Sequence, residues 1–485
     1  MISALQNRYN TLFDATLGKL WIARVWNGID RTIPAGRRPL VRADILLALA
    51  FGVLGAAISL WAFSQTNRVA ELHTTFNLWL HADAPRVAEN MVTTSGDHGR
   101  TSVHPVFSIL IFPFGGLLTA LGMEPLAAAK SLIIVMMGVN AALFSLTIRL
   151  LGLPRIAVAL FTTLFMATAS FLFWGALVES FPFSCFGVLI SLFMMFRVKT
   201  AHWAWWIAVN VLSIGFLVTN WMFGLIAMAV RLKLKPFVTI AAASFVLTVM
   251  LSVLQNTSFE KAAIFINPHT LTREANYFQP AMEEKGIYEE GWRPLNNLRS
   301  TYVTTVVAMP VYIQQQTHMR LATTNQNSSF PEGELSPVIA VIAWVLLFGL
   351  GLWGAVLRKD LRLPLIGAGA ALVLQTLLHL IYGEVTFLYS MSFMPLLILF
   401  ASCSWFSPYR TVSIVAAGLV LVFGVINNTS RFQETIDVAD CLADVDSVKA
   451  LQTWDYIRAN NGPELTDYDG LQVDTVDLCG TKTPR

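Results

Sequence analysis

The sequence predicts an all-α integral membrane protein that crosses the bilayer about eleven times, with interfacial helices and extracytoplasmic loops. Three observations predict it. Of 485 residues, 55% are hydrophobic and only 13% charged, with mean hydropathy +0.59; a soluble domain carries about 25% charged residues. Apolar stretches of near-span length recur along the chain. Lys and Arg gather in alternate connectors, as they do at cytoplasmic helix ends. The net charge of +3 and the lack of a basic run argue against a nucleic-acid partner.

Residues 1–43 are basic, with Arg8, Lys19, Arg24, Arg31, Arg37, Arg38 and Arg42. Their apolar residues, from Leu5 and Tyr9 to Trp21 and Val25, recur at helical spacing. That pattern predicts an amphipathic segment on the cytoplasmic leaflet rather than a cleavable signal peptide. Residues 44–426 form the transmembrane domain. Single spans are expected at 44–63, 126–148, 156–174, 181–196, 236–254, 336–357, 364–381, 391–407 and 411–426. Residues 203–231 lie between Arg197 and Lys199 on one side and Arg231, Lys233 and Lys235 on the other. Both flanks being basic, two short crossings are expected, turning near Thr219 and Asn220. Residues 104–121 are apolar but contain Pro105, Pro113, Gly115 and Gly116; a crossing here would put every later basic loop outside, so a broken juxtamembrane helix is expected.

With these choices the N-terminus is cytoplasmic, the C-terminus extracytoplasmic, and the location a cell inner (plasma) membrane. The short inner loops hold Arg149, Arg155, Arg197, Lys199, Arg231, Lys233, Lys235, Arg358, Lys359, Arg362 and Arg410, with Asp360 their one acid. Outer loops cover 64–125 and 255–335, and an extracytoplasmic tail covers 427–485. The tail has eleven acids against five basic residues. Outside the cell its Cys441 and Cys479 can pair, whereas Cys185 and Cys403 lie in apolar runs as packing residues. Within 255–335, residues 299–316 are expected as another interfacial helix interrupted by Pro310.

The chemistry-bearing residues concentrate in the first outer loop: Asp83, Arg86, Glu89, Asp97, His98, Arg100 and His104. Charged groups beside a membrane interface need water, partners or a ligand. A carboxylate there suits a general base for a hydroxyl acceptor, and nearby arginines suit a phosphate. A solvated loop whose charges pair with one another is the plain alternative. His81 with Asp83, or Asp97 with His98, is the pair a divalent metal would use. Their spacing matches no strong metal motif, so no metal ligand or cofactor is assigned. His104 suits either a helix cap or a phosphate contact. Glu179 and Glu384 sit at outer span ends as site candidates, and His379 lies within a span as a buried or cavity-facing histidine.

Asp83-Ala84-Pro85-Arg86, then His104-Pro105-Val106-Phe107, Leu121-Gly122 and an Ala-rich span from Pro125, with Tyr382-Gly383-Glu384 and Phe387-Leu388-Tyr389-Ser390 later, resemble the GT-C superfamily of integral-membrane glycosyltransferases. The likeness is to its protein mannosyltransferase and aminoarabinose transferase type, and it covers most of 44–426. The resemblance implies an inverting enzyme that moves a sugar from a polyprenyl-phosphate donor to a glycan, lipid or protein acceptor. It implies Asp83 as catalytic base, with Asp97 next. Arg86 and Arg100 would hold donor phosphate, helped by Arg293 or Arg299, and His98, His104, Glu179, Glu384 and Tyr389 would complete the substrate site. The better-marked branches carry adjacent acids in the first loop; here Asp83 and Asp97 stand apart. The rival from another class is a transporter or flippase for a lipid-linked saccharide, which would place ionisable residues near mid-membrane, where this chain has almost none. A polysaccharide polymerase or ligase and a non-catalytic scaffold are the remaining alternatives.

Overall fold

The computed structural model describes residues 40–67, 79–197, 202–268, 272, 293–316, 320–326, 328, 330, 333–383 and 385–444 of the chain. Among them are seven helices long and apolar enough to cross a membrane, several shorter apolar ones, and one two-stranded hairpin. The expected N-terminal helix, Glu384, Cys479 and most of the tail lie outside the described residues.

The first long helix, α1 (Arg42–Gln65), starts where the Asp44 carboxylate accepts the Val41 N–H at 3.1 Å. The connection to the next long helix then folds as a short helix, α2 (Ala84–Val92), and α3 (Phe107–Ala120). Buried residues of α3 are Phe107, Ser108, Ile111 and Gly115, one face, while Phe114, Leu117 and Leu121 are exposed apolar residues. That is the profile of a helix with one side on protein and one on lipid. The long α4 (Pro125–Arg149) is capped by Glu124, which accepts the Ala127 N–H at 2.9 Å, and has Pro at its first position. It packs along α1 through small residues. A Cβ on Gly138 would meet the Gly52 carbonyl oxygen at 2.6 Å, so the two backbones approach closely.

The next segment is broken into α5 (Arg155–Met166) and α6 (Ala169–Trp174). α7 (Phe181–Arg197) follows, then α8 (Trp203–Phe216) and α9 (Trp221–Arg231). The last two are separated by Leu217 and a short turn at Val218–Asn220 and pack against each other, which agrees with a turn near Thr219 and Asn220. α10 (Leu234–Ser258) is peripheral and buries only a stripe of Ile240, Ser244, Thr248, Ser252 and Gln255.

Residues 299–316 depart from the expectation. α11 (Arg293–Arg299) runs into a π-helical turn at Ser300–Thr304, and the chain then becomes extended. Strand β1 (Tyr312–Gln316) pairs antiparallel with β2 (Arg320–Thr324). The β-branched run Val303-Thr304-Thr305-Val306-Val307 and then Pro310 disfavour helix continuation. Residues Val306, Val307, Ala308 and Met309 are fully buried, so this stretch enters the bundle instead of lying along its surface. It closes the α5–α6 break. Ala169 and Ser170 donate N–H groups to the carbonyls of Val306 and Thr305, each at 3.1 Å.

Three long helices complete the bundle: α12 (Leu335–Leu357), α13 (Arg362–Ile381) and α14 (Ser390–Ser402), every residue of α14 being buried. The last, α15 (Arg410–Asp444), continues well past the expected end near 426. Its Asn428 explains why. The side chain accepts the Ala308 N–H at 2.8 Å and donates to the Val306 and Ala167 carbonyls at 2.9 Å, so residues beyond 426 still pack on protein. Cys441, near the end of α15, is disulfide-bonded.

The bundle has two chemically distinct ends. At one, Asp44 accepts from Arg149 Nε at 3.0 Å and Arg155 Nε at 2.8 Å, Arg358 donates to the Leu151 carbonyl at 2.7 Å, and Arg231 Nε donates to the Met195 carbonyl at 2.5 Å. α7 runs from Phe181 to Arg197, and α5–α6 runs from Arg155 toward Glu179, so Glu179 stands at the opposite end from these arginines.

Candidate functional site

The site is built on α2. Asp83 is its N-cap residue, with Pro85 in the first turn. Ala84, Val87, Ala88 and Met91 bury the inner face against α3 and α4. Asp83, Arg86 and Asn90 recur at helical spacing on a second face. Arg86 Nη2 donates to Asp83 Oδ2 at 2.6 Å, and the Asp83 side chain remains 49% exposed. Partial burial raises the Asp83 carboxyl pKa, but the Arg86 guanidinium, with Arg100 and His104 adding to it, outweighs burial and holds it below the ordinary value.

The backbone entering α2 is held under strain. Leu80 and His81 have φ of 49° and 66°, left-handed conformations that cost a side-chain-bearing residue about 1–3 kcal/mol. The Leu80 N–H donates to Thr323 Oγ1 of the hairpin at 2.8 Å. The Asp83 N–H donates to Glu179 Oε1 at 2.7 Å. Thus the first outer loop is gripped by residues nearly a hundred and more than two hundred positions away.

Residues 93–106 return over α2. His98 is buried, with Nδ1 2.8 Å from Ser108 Oγ and its ring 4.9 Å from that of Phe259. Burial lowers its pKa. The stretch then docks on the open end of α8: Val218 N–H donates to the Val103 carbonyl at 2.9 Å and Val106 N–H to the Gly215 carbonyl at 3.3 Å. His104 Nδ1 donates to the Phe216 carbonyl at 2.6 Å. A carbonyl only accepts, so Nδ1 carries the proton and Nε2 a lone pair. Burial, reinforced by Arg86 and Arg100, pushes the His104 pKa down to about 3, so the imidazole is neutral at physiological pH. Gln255 of α10 ties the group together, accepting from Ile109 N–H at 3.1 Å and donating to the Pro105 carbonyl at 3.2 Å.

These residues line a small, partly open recess with room for about one water molecule, formed by Arg86, Asn90, His98, Arg100, His104 and Ser180 among others. Arg86 Nη1 and Asn90 Oδ1 are buried there with no partner among the described residues. A guanidinium with one nitrogen on a carboxylate and another toward a recess is built to bridge that carboxylate and a second oxygen acceptor.

No family model, curated protein or solved structure matches the chain. Function therefore has to be argued from the site.

The structure brings Asp83, Arg86, His98, Arg100, His104 and Glu179 together from two segments, 83–104 and the turn at 179–180. Asp97 is exposed, does not line the cavity, and accepts the Gly99 N–H at 2.8 Å in a local turn. Tyr389 stacks on His379 with ring centroids 4.3 Å apart and lies 6.3 Å from Phe181. It is a neighbour of the Glu179–Ser180 turn and not of the cavity. His379 is a satisfied buried histidine, bonded to Gln375 and the Tyr382 carbonyl. Arg299 donates to the Gln326 carbonyl at 3.1 Å and does not line the cavity. Burial lowers its pKa. The Arg293 side chain and Glu384 lie outside the described residues. Among the described residues no three His, Cys, Asp or Glu side chains converge to hold a metal ion.

Sequence reasoning missed Asn90, Ser108, Ser180, Gln255 and Thr323. Asn90 had a local signal, four residues after Arg86 on the same helix. Gln255 and Thr323 had none, because their contacts are long-range, and Ser108 and Ser180 follow no spacing that marks a site.

Proposed function

We propose that the chain is an inverting membrane glycosyltransferase of the GT-C kind, moving a sugar from a polyprenyl-phosphate donor to a hydroxyl acceptor at the extracytoplasmic face of the inner membrane. The observation that carries the reading is an exposed carboxylate, Asp83, sharing one arginine with a buried polar recess. This pairing stands at the end of the bundle opposite the basic connectors. In this reading the seven long helices cross the bilayer. The broken α5–α6 pair, α7, α8 and α9 cross too, making about eleven, while α3 lies at the outer interface. The N-terminus is then cytoplasmic and the C-terminus extracytoplasmic.

Asp83 takes the proton of the acceptor hydroxyl as its oxygen attacks the anomeric carbon. The bond from that carbon to the lipid phosphate breaks on the opposite face, and the phosphate leaves with the bonding pair. Arg86 and Arg100 balance its charge. The recess is too small for a hexose, so the sugar lies outside it, toward the exposed Asp83 carboxylate. His104, neutral, accepts a hydrogen bond from a substrate hydroxyl and does not compete for phosphate.

The test is purified protein in lipid nanodiscs, assayed for transfer from a panel of polyprenyl-phosphate sugars. Stoichiometric release of polyprenyl phosphate with a glycosylated acceptor is expected. No turnover with any donor, together with saccharide-lipid movement in sealed vesicles, would identify a flippase instead.

A further inference from the structure

Glu179 is a buried carboxylate at the Asp83 end of the bundle, 3% exposed, yet it lies too far along the chain from Asp83 for any local motif to join them. Both of its oxygens are occupied by the protein itself. Oε1 accepts the Asp83 N–H at 2.7 Å; Oε2 accepts the Ser180 N–H at 2.7 Å and the Ser180 hydroxyl at 3.2 Å. A carboxylate used in this way has little left with which to bind a substrate, but it fixes where the neighbouring residue's backbone sits. Asp83 needs such fixing. Among the described residues its side chain is held through Arg86, and the two left-handed residues just before α2, Leu80 and His81, would relax if the turn were released. The opposite side of the same turn is gripped at Leu80 by Thr323.

We infer that Glu179 is the positioning residue for Asp83: its buried carboxylate anchors the Asp83 amide, so the strained turn delivers the Asp83 side chain to the acceptor hydroxyl in a single orientation. The inference rests on the glycosyltransferase reading. It assigns Glu179 a role through Asp83 rather than through substrate. The groups facing the Asp83 carboxylate are Arg86, Arg100, His104 and Glu179. Burial and the Asp83 charge raise the Glu179 pKa, against Arg86 and the two N–H donors. Glu179 therefore takes up its proton before Asp83 as the pH falls, and the titration of Asp83 is set by burial and the arginines.

Three forms are compared in nanodiscs: wild type, Glu179→Ala and Glu179→Gln. Size-exclusion profile and thermal midpoint serve as fold controls. Glutamine keeps an oxygen for the Asp83 amide but turns an NH₂ toward the Ser180 N–H and removes the charge. Glu179→Ala is expected to lower kcat about 100-fold, the scale of a misplaced catalytic group, with KM within about twofold. Glu179→Gln is expected to recover about tenfold of that loss. Amide hydrogen exchange over 79–86, read by mass spectrometry, should quicken in Glu179→Ala and much less in Glu179→Gln. A folded Glu179→Ala with wild-type kcat, or with unchanged exchange over 79–86, overturns the role of Glu179 and leaves the enzyme reading standing. A change in KM alone also overturns it, pointing to substrate contact. A wild type inactive on every donor overturns the enzyme reading first, and the inference with it.

Discussion

Asp83 and Arg86 are three residues apart, and that spacing is enough to bring their side chains to 2.6 Å once α2 begins at Ala84. The chemistry of this pair sets two expectations. Asp83→Asn keeps the size of the side chain and its place at the helix N-cap but cannot take a proton, so sugar transfer should fall by about 10²–10⁴-fold in protein that elutes and melts like wild type. Retention of activity would remove the proposed base. Arg86→Gln removes the strongest force lowering the Asp83 pKa. A base works only when unprotonated, so the acid limb of the pH–rate profile should move to higher pH in this variant, and donor KM should rise as a phosphate contact is lost. An acid limb unmoved by Arg86→Gln would mean that Asp83 is not the titrating base. Asn90, on the same helix face, was open to the same spacing argument. His104 was not, because its neutrality depends on the Phe216 carbonyl, which reaches it only when α8 breaks.

At the scale of elements, the helices whose placement matters most are those with the least room. A Cβ on Gly115 of α3 would fall against the Met91 carbonyl of α2, and backbone cannot swing aside as a long side chain can. Gly115→Ala should therefore push α2 outward and reduce transfer more than it reduces thermal stability, since α2 carries Asp83, Arg86 and Asn90. Asn428→Ala should do the reverse. It leaves the Ala308 N–H and the Val306 and Ala167 carbonyls short of a buried partner, a loss of about 1–3 kcal/mol seen as a lower melting temperature in nanodiscs. Helix positions followed closely from apolar run length, and the break within 203–231 followed from its basic flanks. The hairpin at 312–324 and the length of α15 did not. β-Branched residues and a proline lower helix preference without naming what replaces it, and α15 lengthens because Asn427 and Asn428 find partners in a loop about 120 residues earlier.

For the molecule as a whole, the arrangement of charge makes the outer and inner ends separable by experiment. A cysteine introduced at exposed Thr94 should react with a membrane-impermeant maleimide added to intact cells. One at exposed Lys359 should react only after permeabilisation. The reverse result, or equal labelling, would put Asp83 on the cytoplasmic side and end the sugar-transfer proposal. The membrane character of the chain, the rough bounds of its apolar helices and the candidacy of residues 83–104 all came from the sequence by itself. A bilayer imposes its demands locally: each segment must be apolar over a set length, and each basic connector is costly to carry across. The tertiary structure alone decided which polar residues meet. The amide of Asp83 finds Glu179, the amide of Leu80 finds Thr323, and His104 finds the end of a broken helix, through side-chain-to-backbone bonds between distant segments. Such bonds ask only for an oxygen or a nitrogen in the right place, so they leave no periodicity or spacing to read.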